Sequence, residues 1–312
     1  MPESVKFESR GLRCAADLYL PDGASAGAPR PGLVLGHGFG GLKSGLVAQS
    51  EAFRQAGYVV LTIDYRYFGE SEGEPRGQLF PLEQVEDMRN AISYLQHRGE
   101  VDPEQIGIWG TSFGGAIVIY TAAVDRRVRA VVSQVPVVNG RQWMKALRAE
   151  GDWDVLLDRL DADRVQRYER RKSEYVPAGG AFIEAAMPTS ESERRRLEAE
   201  GMPPRGDPDR RLTLESIERV IEFFPEHMID LIGPRPLCII TTAKRDVVHP
   251  LDQIQAAYKR ANEPKELLLL PLAQYDVYSG PGVDLANQTA IEWFQRHLPV
   301  SASVSSPLAA AR

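Results

Sequence analysis

The feature that most constrains this chain is a rhythm, in which short apolar runs alternate with longer amphipathic stretches. Gly32–Leu35, Tyr58–Ile63, Ile106–Trp109 and Val128–Ser133 are compact runs rich in branched side chains, and segments 44–56, 81–98 and 114–124 between them carry helical spacing. Apolar runs without polar alternation read as strands buried on both faces, and intervening helices make such strands parallel. The rhythm returns late, with Leu237–Thr241, a helix near 251–262, Glu266–Leu270 and a final amphipathic helix over 283–298 through Ile291, Trp293 and Phe294. At the start, Val5–Glu8 and Leu12–Leu20 flank Arg10-Gly11 and read as two antiparallel strands. The expected fold class is therefore α/β, a mostly parallel sheet of about eight strands with helices on both faces.

The rhythm breaks after Val138. From 139 to 232 the chain is charged and helical, with no convincing strand, scattered aromatics (Trp143, Trp153, Phe182, Phe223, Phe224) and turn signals at Pro203-Pro204 and Gly206-Asp207-Pro208. This insertion is expected to form a helical cap over the active edge of the sheet, the alternative being a helical extension that packs elsewhere. The expected organisation is a core made of 1–138 and 233–299, a cap at 139–232, and a flexible tail at 300–312, rich in Ser and Ala.

Charge narrows the partners. A net charge of −6 with interspersed signs argues against a nucleic-acid surface, and Arg194-Arg195-Arg196 sits among Glu193, Glu198 and Glu200 as a solvated helix face would. Cys14 and Cys238 both fall in expected strands, so they read as buried reduced thiols rather than a disulfide or metal site. The opening Met1-Pro2-Glu3-Ser4-Val5-Lys6 has no apolar leader and no segment reaches membrane-spanning length, so the expectation is a cytoplasmic protein that does not engage a membrane.

The chemistry concentrates at Gly110-Thr111-Ser112-Phe113-Gly114, which follows the run Ile106–Trp109. A Ser between glycines at a strand-to-helix turn is a nucleophile elbow: the turn is too tight for flanking side chains, and the hydroxyl projects beside a helix N-terminus. An ordinary Gly-rich βα turn is the competing reading. Leu33-Val34-Leu35-Gly36-His37-Gly38-Phe39-Gly40-Gly41 is a second strand running into a Gly-rich turn whose backbone can approach a ligand closely. The amides of Phe39 and Phe113 would form a two-donor oxyanion hole. His37 reads as a brace of this loop rather than a base.

These segments, with Asp64-Tyr65-Arg66 running to Gly69-Glu70-Ser71, resemble the α/β-hydrolase superfamily over nearly the whole chain. Within it the chain is similar to cap-bearing bacterial hydrolases related to dienelactone hydrolases, acetyl xylan esterases and certain epoxide hydrolases, with fungal polyketide-shortening hydrolases more distant. The stretch from Leu214 to Val220 and on through Gly233-Pro234-Arg235-Pro236-Leu237 resembles the end of the cap in that group. The resemblance implies an acid loop after a late strand. Here that loop is Thr242-Ala243-Lys244-Arg245-Asp246-Val247-Val248-His249-Pro250, with Asp246 as the orienting acid, or otherwise a helix cap or a loop ion pair with Arg245.

The chain then departs from the family pattern. Where relatives carry the catalytic His after the last strand, this sequence reads Pro271-Leu272-Ala273-Gln274-Tyr275-Asp276-Val277-Tyr278, so Gln274 occupies the slot of the general base. An amide cannot take up a proton near neutral pH, and a Ser without a base is a poor nucleophile. Three explanations stay open: Gln274 replaces a His, by design or by drift of the loop; His249 supplies a substitute base; or the site has left hydrolysis for a lyase, cyclase or binding role. His97, His227 and His297 fall on helical segments and read as surface or packing residues. The expectation is a serine hydrolase of small esters or related acyl bonds, impaired at Gln274, acting on an apolar or aromatic small molecule. No cofactor or metal is implied, and a homodimer of the kind relatives form stays open. An epoxide hydrolase is the closer rival, although Ser112 is not the carboxylate nucleophile that chemistry usually takes.

Overall fold

The computed structural model describes residues 1–180, 185–189, 195–196, 198–199, 210–244 and 246–300. Phe182, Glu193, Arg194, Glu200, the turn signals at 203–208, Arg245 and the tail beyond Val300 lie outside the described residues. Strands β1 (Glu3–Ser9) and β2 (Leu12–Tyr19) form a hairpin whose two turn residues, Arg10 and Gly11, have φ of 51° and 81°. Positive φ at both central positions matches the right-handed twist of the flanking strands. Then follow β3 (Arg30–Gly36), α1 (Val47–Gln55), β4 (Val59–Ile63), α2 (Pro81–Gln96), β5 (Val101–Thr111), α3 (Phe113–Val124) and β6 (Val128–Gln134).

The main sheet has eight strands in the order β1-β2-β4-β3-β5-β6-β11-β12, where β11 is Leu237–Thr242 and β12 is Lys265–Leu270. Pairing is antiparallel from β1 to β4 and parallel beyond. Adjacent residues of a strand feed opposite layers, because side chains alternate across a sheet. Leu33 and Leu35 pack with Phe53, Tyr58, Trp109 and Phe294, while Val34 packs with Met88, Ile92, Ile108 and Ile117. Helix α3 is apolar all round and its Ala116 to Ile119 stretch is fully buried, as expected of a helix enclosed on every side.

The 139–232 segment contains α4 (Gly140–Ala146), α5 (Asp152–Arg170) and α6 (Leu214–Ile221). It also contains strands that the sequence did not announce: β7 (Tyr175–Pro177) pairs with β10 (Arg211–Thr213), and β8 (Gly179–Gly180) with β9 (Met187–Pro188). At two or three residues each, they are too short to show a period. Hydrogen bonds tie this segment to the core: Thr213 N donates to Gly77 O at 3.1 Å, and Leu79 N donates to the Ser216 hydroxyl at 2.9 Å. Gly77 has φ 76°, and a Cβ there would stand 2.3 Å from the Arg211 carbonyl oxygen, so the seam needs glycine. The chain closes with α7 (Leu251–Arg260) and α8 (Gly280–His297). Cys14 and Cys238 are free and buried, and burial pushes both thiols up. No helix among the described residues is long and apolar enough to cross a membrane.

Candidate active site

The site is assembled at the C-terminal ends of β3, β5, β11 and β12. Ser112 stands between β5 and α3 with φ 54° and ψ −119°, a conformation that costs about 1–3 kcal/mol in a residue with a side chain. Three backbone bonds hold it there: Ser112 N donates to Gln134 O at 2.9 Å, while Val137 N and Ala116 N donate to Ser112 O at 3.2 and 3.3 Å. The flanking glycines are sterically required. A Cβ on Gly110 would stand 2.2 Å from Gly114 O, and one on Gly114 would stand 2.4 Å from the carbonyl oxygens of Gly36 and His37.

His249 faces Ser112. Its Nε2 lies 2.9 Å from Ser112 Oγ and its Nδ1 lies 2.9 Å from Asp246 Oδ2. The imidazole and carboxylate are almost fully buried, with side-chain exposures of 2% and 4%. Asp246 Oδ1 accepts from Val248 N and His249 N at 2.9 and 2.8 Å. Burial alone would raise the Asp246 pKa. The adjacent His249 and these amide bonds outweigh it and hold the carboxyl below its ordinary value. Acid and imidazole thus share one tight turn after β11.

That turn is pinned from both sides. Trp143 Nε1, from α4, donates to Val248 O at 2.8 Å, and Val247 N donates to Gln274 Oε1 at 3.0 Å. The expectation that Gln274 occupies the position of the base beside Ser112 is therefore corrected: its oxygen accepts from Val247 N, and the ring on Ser112 belongs to His249. Gln274 Nε2 is buried without a partner among the described residues. In the same loop Tyr278 Oη lies 2.8 Å from Thr111 Oγ1, which also accepts from Gln134 Nε2 at 3.2 Å. Burial pushes the Tyr278 phenol up, so it stays protonated.

The loop after β3 closes the other side. His37 Nδ1 lies 3.0 Å from Gly38 O, and the ring sits edge-on to Tyr65 with centroids 4.8 Å apart. Burial lowers its pKa and keeps it neutral, which fits a brace. The Phe39 and Phe113 side chains meet Trp143 at centroid distances of 5.4 and 6.1 Å and each other at 5.9 Å. This aromatic cluster clamps together the two loops whose amides were singled out from the sequence. His97, His227 and His297 lie on the outer helices and short turns, away from Ser112.

Ser112 opens onto a cavity of about 230 Å³, walled by Phe39, Leu42, Leu46, Met187, Val248 and Tyr275. Small-molecule sites commonly span ~300–1,000 Å³, so this one suits a short chain. A larger cavity, about 620 Å³, lies between the start of α2, Tyr120 and the 219–228 stretch, and does not touch Ser112. The bonded geometry at Ser112, rather than cavity size, marks the candidate site. Among the described residues no group of three or more His, Cys, Asp or Glu could hold a metal ion. Sequence reasoning missed Trp143 and Tyr278 as supports of the site. An indole and a phenol give no sign in sequence of which distant group they will bond.

Comparison with known proteins adds the relationships. The family model for X-Pro dipeptidyl-peptidases (S15 family) matches residues 10–213. The quorum-quenching protein AidA of Acinetobacter baumannii is 45% identical over 140 residues, an alignment that spans 45% of each chain. The polyketide transferase ATR5 of Stachybotrys chlorohalonatus is 28% identical over 301 residues, covering 95% of this chain and 97% of that one. Among solved structures, DcsB in complex with a substrate analogue superposes with a TM-score of 0.81 at 21% identity, covering 96% of this chain and 99% of that one. At that identity the likeness speaks for the fold.

Proposed function

The chain belongs to the peptidase S15 family of the α/β-hydrolase superfamily, and from that premise we propose that it hydrolyses small esters or related acyl bonds through an acyl-enzyme on Ser112. The observation that carries this reading is the His249 ring bridging Ser112 Oγ and Asp246 Oδ2 at 2.9 Å on each side.

In this mechanism Asp246 accepts Nδ1–H and fixes the tautomer, which leaves Nε2 free to take the Ser112 proton as Oγ attacks the carbonyl carbon. The amides of Phe39 and Phe113 donate to the oxygen that becomes negative. The tetrahedral intermediate collapses, His249 passes its proton to the leaving alcohol or thiol, and water, deprotonated by the same ring, releases the acid. With His249 as base, residue 274 takes no part in proton transfer, and ordinary rather than impaired turnover follows. The 139–232 segment acts as the cap: it contributes Met187 to the cavity wall and Trp143 to the acid–base turn.

A second reading, acyl transfer to an acceptor other than water, draws on the ATR5 likeness. It shares every step up to the acyl-enzyme. The test is turnover of p-nitrophenyl acetate and butyrate, with labelling of Ser112 by a fluorophosphonate. Label on Ser112 with steady release of acid supports hydrolysis, and a burst that stalls until an alcohol or amine is added supports transfer. An unlabelled protein without turnover sinks both.

A further inference from the structure

The wall of the Ser112 cavity has two sources. Phe39, Leu42 and Leu46 come from the stretch after β3, and Val248 and Tyr275 from the loops after β11 and β12, whereas Met187 comes from the 139–232 segment. Phe39 and Val248 belong to the loops that carry the proposed oxyanion amide and the imidazole, so their positions answer to the chemistry. Met187 has no such duty. It is buried, and its unbranched thioether side chain fills irregular space.

The peptide before Met187 is held through both its amides and its carbonyls. Ala186 N donates to Pro177 O at 2.9 Å, and Met187 N donates to Ala178 O at 3.1 Å. The carbonyl oxygens of Ala185 and Ala186 accept from Arg148 Nη2 at 3.3 and 3.1 Å. Arg148 stands just past α4, and its Nη1 donates to Met144 O in the last turn of that helix at 2.8 Å. One guanidinium therefore ties the end of α4 to the residues directly before Met187. Burial pulls its pKa down to about 10 while Asp152 pulls the other way, so the group is still charged at neutral pH. Desolvating a cation is costly, and a charged donor bonds a carbonyl more strongly than a neutral one does. The same α4 carries Trp143, which is bonded to Val248 O. The place of Met187 relative to His249 is thus set through one short helix.

We propose that Met187 sets the length of acyl group accepted at Ser112, and that Arg148, without touching substrate, is the positioning residue that keeps Met187 there. The inference rests on the hydrolase reading for the reacting end, and two experiments separate the two. In the first, kcat/KM is compared for p-nitrophenyl butyrate and p-nitrophenyl hexanoate, which differ by two methylenes. The native chain is expected to prefer butyrate. Met187→Ala should raise the hexanoate-to-butyrate ratio about tenfold, the size of burying two methylenes. Arg148→Met, which keeps an apolar stem and loses the donors, should raise it several-fold. Arg148→Lys keeps a cationic donor and should restore part of the native preference. The ratio is read within each variant, so a general loss of activity does not mimic the effect. In the Met187→Ala background Arg148→Met should add nothing further, because its effect runs through the side chain already removed.

In the second, Ser112→Ala and Ser112→Ala/Met187→Ala proteins are titrated calorimetrically with methyl butyrate and methyl hexanoate, which needs no turnover. A hexanoate affinity that rises against butyrate in the double variant supports the assignment even if Ser112 proves unreactive. A native chain indifferent to length, a ratio that Met187→Ala leaves unchanged, or no hexanoate binding in the double variant would overturn the proposal and leave the hydrolase reading untouched. An Arg148→Met effect that persists undiminished without Met187 would overturn it as well, since Arg148 would then act by another route.

Discussion

The loops that follow β11 and β12 lie side by side at one edge of the site, and they differ in kind. The β11 loop carries a carboxylate and an imidazole three residues apart and aims the ring at Ser112. The β12 loop presents no imidazole; it presents Gln274 to the backbone of its neighbour and Tyr278 to Thr111. One loop carries the proposed proton transfer, and the other holds the first loop and the end of β5 in place. Side chains that mainly hold neighbouring groups in place contribute order, and their loss is graded. A side chain whose proton must move is not replaceable, and its loss is close to total.

This division is tested most severely at the ring. His249→Ala and Ser112→Ala should each lower kcat for an activated ester by about 10⁴–10⁶, and the double variant should lose little more, since the two act as a unit. Stopped-flow release of p-nitrophenol measures this. A His249→Ala protein that retains most of its rate would dissolve the comparison, because the proton would then be moving through another group.

Asp246→Asn comes next, at about 10⁴ in kcat, because an amide can donate to Nδ1 and select the wrong tautomer. It also carries a stability signature. A carboxyl held below its ordinary value binds protons more weakly in the folded protein than in the unfolded one. Its stabilising contribution is therefore complete above the unfolded value of about 3.9 and is lost as pH falls through the lower, folded value. Urea unfolding between pH 3 and 6, taken as ~3–6 around that reference value, should show a steeper acid-side loss in the native chain than in Asp246→Asn. Equal slopes would mean that the carboxylate is not favourably held.

How much of this was open to sequence reading follows from the kind of signal involved. All eight strands of the main sheet were legible: the central ones are buried on both faces, which writes a continuous apolar run into the chain, while the partly exposed edge strands β1 and β12 were read from the Arg10-Gly11 turn and from the short run Leu267–Leu270. Ser112 was legible because the turn forces glycine at 110 and 114, a steric demand met by residue type. The base was harder to find. His249 entered as one of three alternatives, since spacing alone does not say that a residue three beyond Asp246 turns its ring back toward a Ser more than a hundred positions earlier in the chain. The family pattern pointed instead to position 274, where loop flanks matched but the side chain serves Val247. The short ladders near 175–188 and 211–213 were invisible for a plainer reason: two or three residues contain no period.

Gln274→His sharpens the contrast between the two loops, because the opposite results are expected from the opposite roles. If position 274 were a vacant base slot, an imidazole there would raise turnover by orders of magnitude. In the support role, the substitution takes the buried amide oxygen from Val247 N, and an unsatisfied buried donor costs about 1–3 kcal/mol. The expected outcome is a fall of roughly tenfold in kcat with a lower melting temperature, and the conservative Gln274→Glu should not rescue it, since it sets a second carboxylate beside Asp246.

The smallest effect is expected at Tyr278. Removing its hydroxyl in Tyr278→Phe deletes one bond to Thr111 Oγ1, which keeps its bond from Gln134 Nε2, together with a contact to the Ser112 side chain, whose main partner is His249. A buried hydrogen bond whose partner retains another contact contributes about 0.5–1.5 kcal/mol. The loss should therefore appear mainly as reduced stability in thermal unfolding, with kcat down only a few-fold. A fall as large as that of His249→Ala would place Tyr278 among the groups whose proton moves. The β12 loop would then share in catalysis instead of supporting it, and the contrast with the β11 loop would fail at its weakest point.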